Sequence, residues 1–331
     1  MPVPQRIALT LPNGNGVEAT IKDAKWAESS GYDDVWFADI NGGDALTMAA
    51  AVAMITSKVR IGTAIIPVFT RAPAVFASSA HVLHKVSNGR FILGLGSSSQ
   101  TMMENWNGLT FEKPLTRVKE TTQIVRSMLA GEKSDFDGKT LHTHGYRQAP
   151  LPAGEPPIYI AGLRGKMLEM AAEVGDGVIL NLFPKKALPK MMEHIRIGAE
   201  RAGKKLEDIE IVCRHQVTVT DDAARVRDLF RSHFAPYYAT PVYNKFLAWA
   251  GYEENAKTIR EGWAARDRNK TTAALEDDLV DEIGIIGSAE YCHDRIREYA
   301  DMGITTHILA GISPDDAEAT REAFTAEHFS F

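Results

Sequence analysis

The chain has 331 residues, 44% of them hydrophobic and 24% charged, with a formal net charge of −6. That balance fits an ordinary globular protein with a sizeable core, and the acidic excess argues against a sequence-independent hold on nucleic acid or an anionic membrane. Cys213 and Cys292 lack CxxC spacing, no apolar run approaches the ~18 residues of a membrane span, and the first residues show no charged stretch before an apolar core, so a cytoplasmic, disulfide-free protein is expected.

Strand and helix alternate from the start. Ile7–Leu11 reads as an apolar strand, PNGNG as a turn, and Val17–Ser30 as a helix stopped at Gly31. Val35–Ala38 is a second strand and Ala45–Thr56 an alanine-rich helix. Val59–Ile66 has too little polar alternation for a solvent-facing sheet and fits a strand buried on both faces. Pro73 suits the first turn of the next helix, whose apolar face carries Phe76, Ala80 and Leu83. Ser87-Asn88-Gly89 then turns the chain into strand Phe91–Gly96. Leu115–Ala130 is an amphipathic helix ended by Gly131.

Residues 132–156 break the rhythm with a hairpin turn at Asp137-Gly138 and a proline-rich return, read as an insertion on the rim. The alternation resumes with strand Ile158–Ala161, helix Lys166–Val174, strand Gly177–Asn181, helix Pro189–Ala202 and strand Ile209–Val219. Residues 221–281 read as a helical insertion with clustered aromatics, among them Tyr237, Tyr238 and Tyr243, suited to a lid or an oligomer contact. Ser288 can cap a helix running to Met302, followed by strand Ile304–Ala310 and a last helix over Asp315–His328. Eight strands alternating with helices predict an α/β fold, a (β/α)8 TIM barrel with insertions, as one unit over 1–331. No GxGxxG opens a helix after the first strand, which weakens a dinucleotide-binding sheet.

Barrel active sites form at the C-terminal strand ends. That rule selects Asn13, Asp39, Asn41, the stretch Thr63 to Pro67, Ser97–Gln100, Gly162–Gly165, Asn181, and Arg214, His215 and Gln216. Gly96-Ser97-Ser98-Ser99 lets a flat ring or a phosphate approach the backbone, although a solvated serine loop reads equally well. Ala161-Gly162-Leu163-Arg164-Gly165 joins a strand directly to a helix, so free N–H groups and a guanidinium offer a phosphate seat, with a plain structural turn as the alternative. Asp39 ends an apolar strand and is either functional or a cap for the segment that follows. Arg214 and His215 lie on opposite faces of their strand, and the series Ile209, Ile211, Cys213, His215 looks the more core-like of the two. Which of them reaches a ligand stays open at this point. His142 and His144 show no third ligand at metal spacing, and neither a GxSxG elbow nor a Walker loop occurs. A concave rim with anion-binding backbone and few titratable groups suits a bound cofactor that carries the chemistry.

The phrases WFAD at 36–39, VRIGTAI at 59–65, GRFILGLG at 89–96, PIYIAG at 157–162, GDGVILN at 175–181 and IGSAEYCHDRIREYADMGIT at 286–305 resemble, in order and spacing, the bacterial luciferase-like oxidoreductases, especially the branch using the deazaflavin coenzyme F-420. The segment 102–120 resembles that branch as well. The resemblance implies a flavin or deazaflavin (8-hydroxy-5-deazaflavin) ring across the barrel mouth and a non-proline cis peptide at Ala64–Ile65. It also implies cofactor contacts from Ser97, Ser98 and Ser99, a phosphate seat at Gly162–Gly165, and a bond from Asp39 to the ring's polar edge. Barrel rule and resemblance together mark Asp39, Thr63, Ala64, Ile65, Ser97, Ser98, Ser99, Gly162, Leu163, Arg164, Gly165 and Asn181 as cofactor-binding. Ile40 stands where several relatives have histidine, and Ser99 where some have glutamate, so no acid or base carries over. The implied activity is hydride transfer between deazaflavin and a small organic substrate. An FMN-dependent monooxygenase using oxygen is the alternative, and a non-catalytic flavin-binding barrel a third reading. A homodimer through helices 45–56 and 73–87 is implied too, with no metal.

Overall fold

The computed structural model describes residues 3–11, 16–40, 42–152 and 154–331. In chain order its strands are β1 Arg6–Thr10, β2 Asp34–Phe37, β3 Arg60–Thr63, β4 Ile66–Pro67, β5 Phe91–Gly96, β6 Asp135–Asp137, β7 His142–His144, β8 Ile158–Ala161, β9 Gly177–Asn181, β10 Glu210–Val219, β11 Gly284–Gly287 and β12 Thr306–Ala310. Strands β1, β2, β3, β5, β8, β9, β10 and β12 pair in that order, all parallel, and β12 returns to β1. The eight-stranded barrel expected from the alternation is therefore closed. The helices that follow the strands pack around it: α1 Val17–Ser29, α2 Ala45–Ala53, α3 Pro73–Val86, α4 Pro114–Leu129, α5 Gly165–Val174, α6 Leu188–Arg201 and α12 Ala289–Asp301. Ser288 caps α12 by accepting the Tyr291 N–H.

The barrel lumen is filled in layers. Ala8, Trp36, Ile92, Tyr159, Ile179, Val212 and Ile308 meet there, one from each of seven strands. Gly62 of β3 makes room for the indole, since a Cβ at that position would stand 2.4 Å from the Trp36 ring. Below this layer, at the N-terminal strand ends, the Arg60 guanidinium donates to both Asp34 carboxylate oxygens at 2.7 Å and to Glu210 at 2.6 and 3.0 Å. Tyr159 donates to Glu210 at 2.6 Å, and Thr306 donates to it as well. Burial pushes the Glu210 carboxyl up, but Arg60, Thr306 and Tyr159 outweigh it and hold it low. The charge network at this closed end serves stability, because barrel chemistry sits at the opposite end.

Several boundaries differ from those the sequence suggests. The apolar run 59–66 is two strands, with the cis Ala64–Ile65 peptide between them. The last helix covers only Ala317–Glu322, and Ala45–Thr56 ends as a helix at Ala53. A short π-helical turn, Met102–Trp106, and strand β11 were not anticipated. Strand β11 extends the sheet on the upper half of β10, pairing Gln216 with Gly284 and Val219 with Gly287. Residues 135–144 form the antiparallel hairpin β6–β7 around the expected turn. Helices α7 Ala223–Ala239, α8 Pro241–Trp249, α9 Glu253–Ala264, α10 Arg268–Ala273 and α11 Asp277–Ile283 share their own apolar cluster around Phe230, Tyr238, Leu247 and Ile259.

Candidate active site at the barrel mouth

Strand parity carries the lumen face upward in steps of two. One layer above the apolar plug it presents Thr10, Ala161, Asn181, Arg214 and Ala310, with Gly94 and Gly96 on β5. One side of the mouth is thus walled by small residues. A Cβ at Gly96 would lie 2.9 Å from the Ile65 side chain and 3.3 Å from Ala161, and a Cβ at Gly94 would meet the Thr63 carbonyl oxygen. Ala64 and Ile65 pack against the lumen cluster with Ala161. Gly94 and Gly96 admit no side chain here, so this floor is built of small groups, which suits a planar ring.

Thr63 holds the floor rather than presenting its hydroxyl to the mouth. It is fully buried, and its Oγ1 accepts the Gly94 N–H at 2.8 Å and donates to the Gly94 carbonyl at 3.0 Å. The side chain thereby replaces the backbone pairing missing between β3 and β4 opposite β5. Ser99 is also engaged locally, accepting the Met102 N–H at 3.3 Å, while Ser98 takes a positive φ of 60° and donates to the Met102 sulfur. Ser97 and Ser98 remain half-buried at the strand end.

The β8–α5 junction has the properties of an anion seat. Helix α5 starts at Gly165 with Arg164 as its N-cap residue and no side-chain cap bond, so its first N–H groups are open. Gly165 has a φ of +45°, and nothing lies within 4 Å of where its Cβ would be. Arg164 makes no ion pair among the described residues. Open N–H groups, the helix dipole and a guanidinium all favour a phosphate here. Gly162 has a different role, since its Cβ would stand 3.0 Å from Leu168 Cδ2 and close the contact between β8 and α5.

Asp39 is already partnered. It receives Arg71 at 2.7 Å and the Ala45 N–H at 3.3 Å, next to the N-terminus of α2. Arg71 also bonds Asp44, the α2 cap. Burial alone would lower the Arg71 guanidinium, but Asp39 and Asp44 raise it. These residues line a cleft of about 430 Å³ that runs past Ile40 and Pro67 to Met102 and Trp106. Asn13 and Asn41 lie outside the described residues.

The core-like series of strand seven does lie in the core, in the layer between barrel and helices, which leaves Arg214 and not His215 on the lumen face. Ile209, Ile211 and Cys213 pack outward into the helical layer, and His215 meets the tilted Tyr299 ring there with centroids 4.6 Å apart, stacks on His307 and contacts it at 3.1 Å. The lumen receives Glu210, Val212, Arg214 and Gln216 instead. Polar residues face inward because the lumen has an ion-paired base and a polar mouth, which an apolarity count does not see. Arg214 is register partner to Asn181 and Ile308. Its Nε is buried without a partner, and no ion pair or hydrogen bond reaches the side chain among the described residues. Burial accordingly pulls its guanidinium below the ordinary value, with Tyr237 and Tyr243 opposing weakly. Burial pushes the nearby Tyr243 phenol up to about 12, with the Asn181 side chain opposing the shift. Thr10 Oγ1, Asn181 Oδ1 and Gln216 Nε2 are likewise buried without partners. Thr10 was missed in the sequence, although parity from Ala8 would have found it.

His142 and His144 meet carboxylates that sequence spacing hides, because Asp135 and Asp137 lie on the facing strand of the hairpin. His144 contacts Asp135 at 3.0 Å and Asp137 at 3.2 Å, and His142 contacts Asp137 at 3.1 Å. Among the described residues no group of three or more His, Cys, Asp or Glu is placed to hold a metal.

A sequence model of the luciferase-like monooxygenase family matches residues 3–306. The chain is 33% identical over 303 residues to a 5,10-methylenetetrahydromethanopterin reductase of Methanolobus tindarius, covering 90% of this chain and 92% of that one. Its fold is similar to that of the coenzyme F420-dependent tetrahydromethanopterin reductase of Methanopyrus kandleri, with a TM-score of 0.81, 23% identity, and coverage of 99% and 100% of the two chains. It is also similar to an F420-dependent secondary alcohol dehydrogenase solved with an F420-acetone adduct, with a TM-score of 0.77, 19% identity and 97% of each chain covered.

Proposed function

The chain belongs to the luciferase-like monooxygenase family, and from that premise we propose that it is a deazaflavin-dependent oxidoreductase that passes a hydride between coenzyme F420 and a small organic substrate. The observation that carries the reading is the pairing of a small-residue floor with an open helix N-terminus at the mouth of one barrel. Ala64, Ile65, Gly94, Gly96 and Ala161 would carry the ring, and the N–H groups of Leu163 to Gly165 with Arg164 would hold its phosphate. Ser97 and Ser98 would border the ring between them. Bound there, the cofactor supplies two-electron hydride chemistry. The chain supplies orientation, apolar walls that exclude water, and fixed dipoles. Asp39, tied to Arg71 and α2, positions the loop at the mouth's edge.

An FMN-dependent monooxygenase is the second reading, favoured by the oxygen chemistry for which the family is described. Fluorescence titration of the apoprotein separates the two. We expect saturable 1:1 binding of F420 in the micromolar range or tighter, and FMN about tenfold weaker or more. Tighter binding of FMN together with oxygen-dependent turnover would overturn the assignment.

The stretches 132–156 and 221–281 are read as additions to a single barrel unit, and Met54 at the end of α2 with Val75 and Val82 on α3, all exposed, as the contact to a second copy. No described helix is long and apolar enough to cross a membrane. Both cysteines are buried and free, which supports a cytoplasmic setting.

A further inference from the structure

We propose that Arg214, with Gln216 on the same face of β10 and Tyr243 nearby, seats an anionic oxygen of the substrate, a carboxylate in the first place. The inference rests on the barrel mouth being the hydride-transfer site, and it names the substrate class for that site.

Two of the guanidinium groups on the lumen face, Arg60 and Arg214, sit in opposite settings. Arg60 at the closed end is neutralised by Asp34 and Glu210. Arg214, on the same lumen face of the barrel near the open end, has no carboxylate and no hydrogen bond among the described residues. A half-buried guanidinium whose enclosed Nε has no partner is available to an anion that enters the mouth. Gln216 points the same way. It is 2% exposed, and its Nε2 donor has no partner. A fork of guanidinium donors with an added amide N–H matches the planar geometry of a carboxylate.

Tyr237 and Tyr243 meet edge to face with centroids 6.0 Å apart and are the phenols nearest Arg214 in its electrostatics, so the same corner offers aromatic contact to the body of the acid. Asn181 Oδ1 is left as an acceptor, which suits a hydroxyl or N–H adjoining the acid rather than a second anionic oxygen. The cofactor phosphate is already served at α5 by Arg164 and open N–H groups, two strands away around the barrel.

The test is isothermal titration calorimetry with benzoate and its neutral counterpart benzamide, on the apoprotein and on F420-loaded protein. Benzoate is expected to bind about tenfold tighter than benzamide or more. That preference should vanish in R214Q, persist in R214K and in R164E, and leave the F420 affinity of R214Q within about threefold of wild type. Equal binding of the two probes, binding of neither, or a benzoate preference lost in R164E and kept in R214Q would overturn the proposal. So would R214Q that weakens F420 about tenfold while keeping the benzoate preference, which would assign Arg214 to the cofactor. Should R214Q fail to fold by circular dichroism, R214M, which keeps the stem and removes the charge, decides against R164E on the same criterion. Wild-type protein that binds no F420 would sink the proposed function instead, while the apoprotein titration still tests Arg214 independently.

Discussion

The Thr63 hydroxyl stands in for a missing stretch of β-ladder by bonding both the N–H and the carbonyl of Gly94, at 2.8 and 3.0 Å. A side chain thus joins the two strands whose backbones cannot pair there, and does so directly under the proposed ring floor. Thr63→Val keeps the shape and removes the hydroxyl, leaving two buried backbone groups unpaired. The expected loss is about 2–4 kcal/mol in urea unfolding. Thr63→Ser, which keeps the hydroxyl, should recover most of it.

At the anion seat the informative change is Arg164→Glu. It replaces the guanidinium with a carboxylate at the start of α5 without touching a packed surface, so cofactor affinity should fall by about tenfold or more. The wild-type titration should weaken with added salt, and that salt dependence should shrink in the variant. Gly162→Asp is a poorer test, because the new Cβ would press on Leu168 and unsettle α5 whether or not a phosphate binds.

Removing Arg60 should be far more damaging to stability than its partial exposure suggests. Arg60→Leu strands the Asp34 and Glu210 carboxylates in the lumen, and breaking such a buried pair typically costs about 3–5 kcal/mol. Because this network lies at the closed end, protein that still folds at low temperature should bind cofactor with near wild-type affinity. Thermal melts and titrations on the same sample check both halves.

His215 and His307 make stability fall in mild acid. Burial lowers both imidazoles, His307 to about 3, whereas in the unfolded chain they titrate near 6.5. Between those values the unfolded state binds more protons than the folded one, so stability is complete above pH 6.5 and declines as pH drops toward 3. At pH 4.5 the His307 contribution alone amounts to about 2–3 kcal/mol. Urea midpoints measured from pH 7 to 4.5 should decline less steeply in His307→Gln than in wild type. Parallel pH profiles would show that the buried imidazole is not responsible.

Much of the architecture is legible in the sequence. Eight apolar strands, Gly31, Gly89 and Gly131 as stops, and the Ser288 cap are local signals, and local signals survive folding. What escaped was non-local. Strand β11 exists only because the upper half of β10 offers an edge beyond β9. The orientation of β10 could not be read from apolarity, since its lumen face carries Glu210, whose partners Arg60, Tyr159 and Thr306 are far away in sequence, and the polar Arg214 and Gln216. Asp39 looked available because its partner Arg71 lies 32 residues on. The rim loops were legible as loops, while the division of labour within them, Gly162 for packing and Gly165 for open space, needed three dimensions.

A crystal structure of the protein soaked with coenzyme F420 tests the proposed site most directly. The tricyclic ring should lie against Ala64–Ile65, Gly94, Gly96 and Ala161, with the phosphate on the N–H groups of Leu163 to Gly165 beside Arg164. A ring seated elsewhere, or a phosphate bound away from the start of α5, would contradict it.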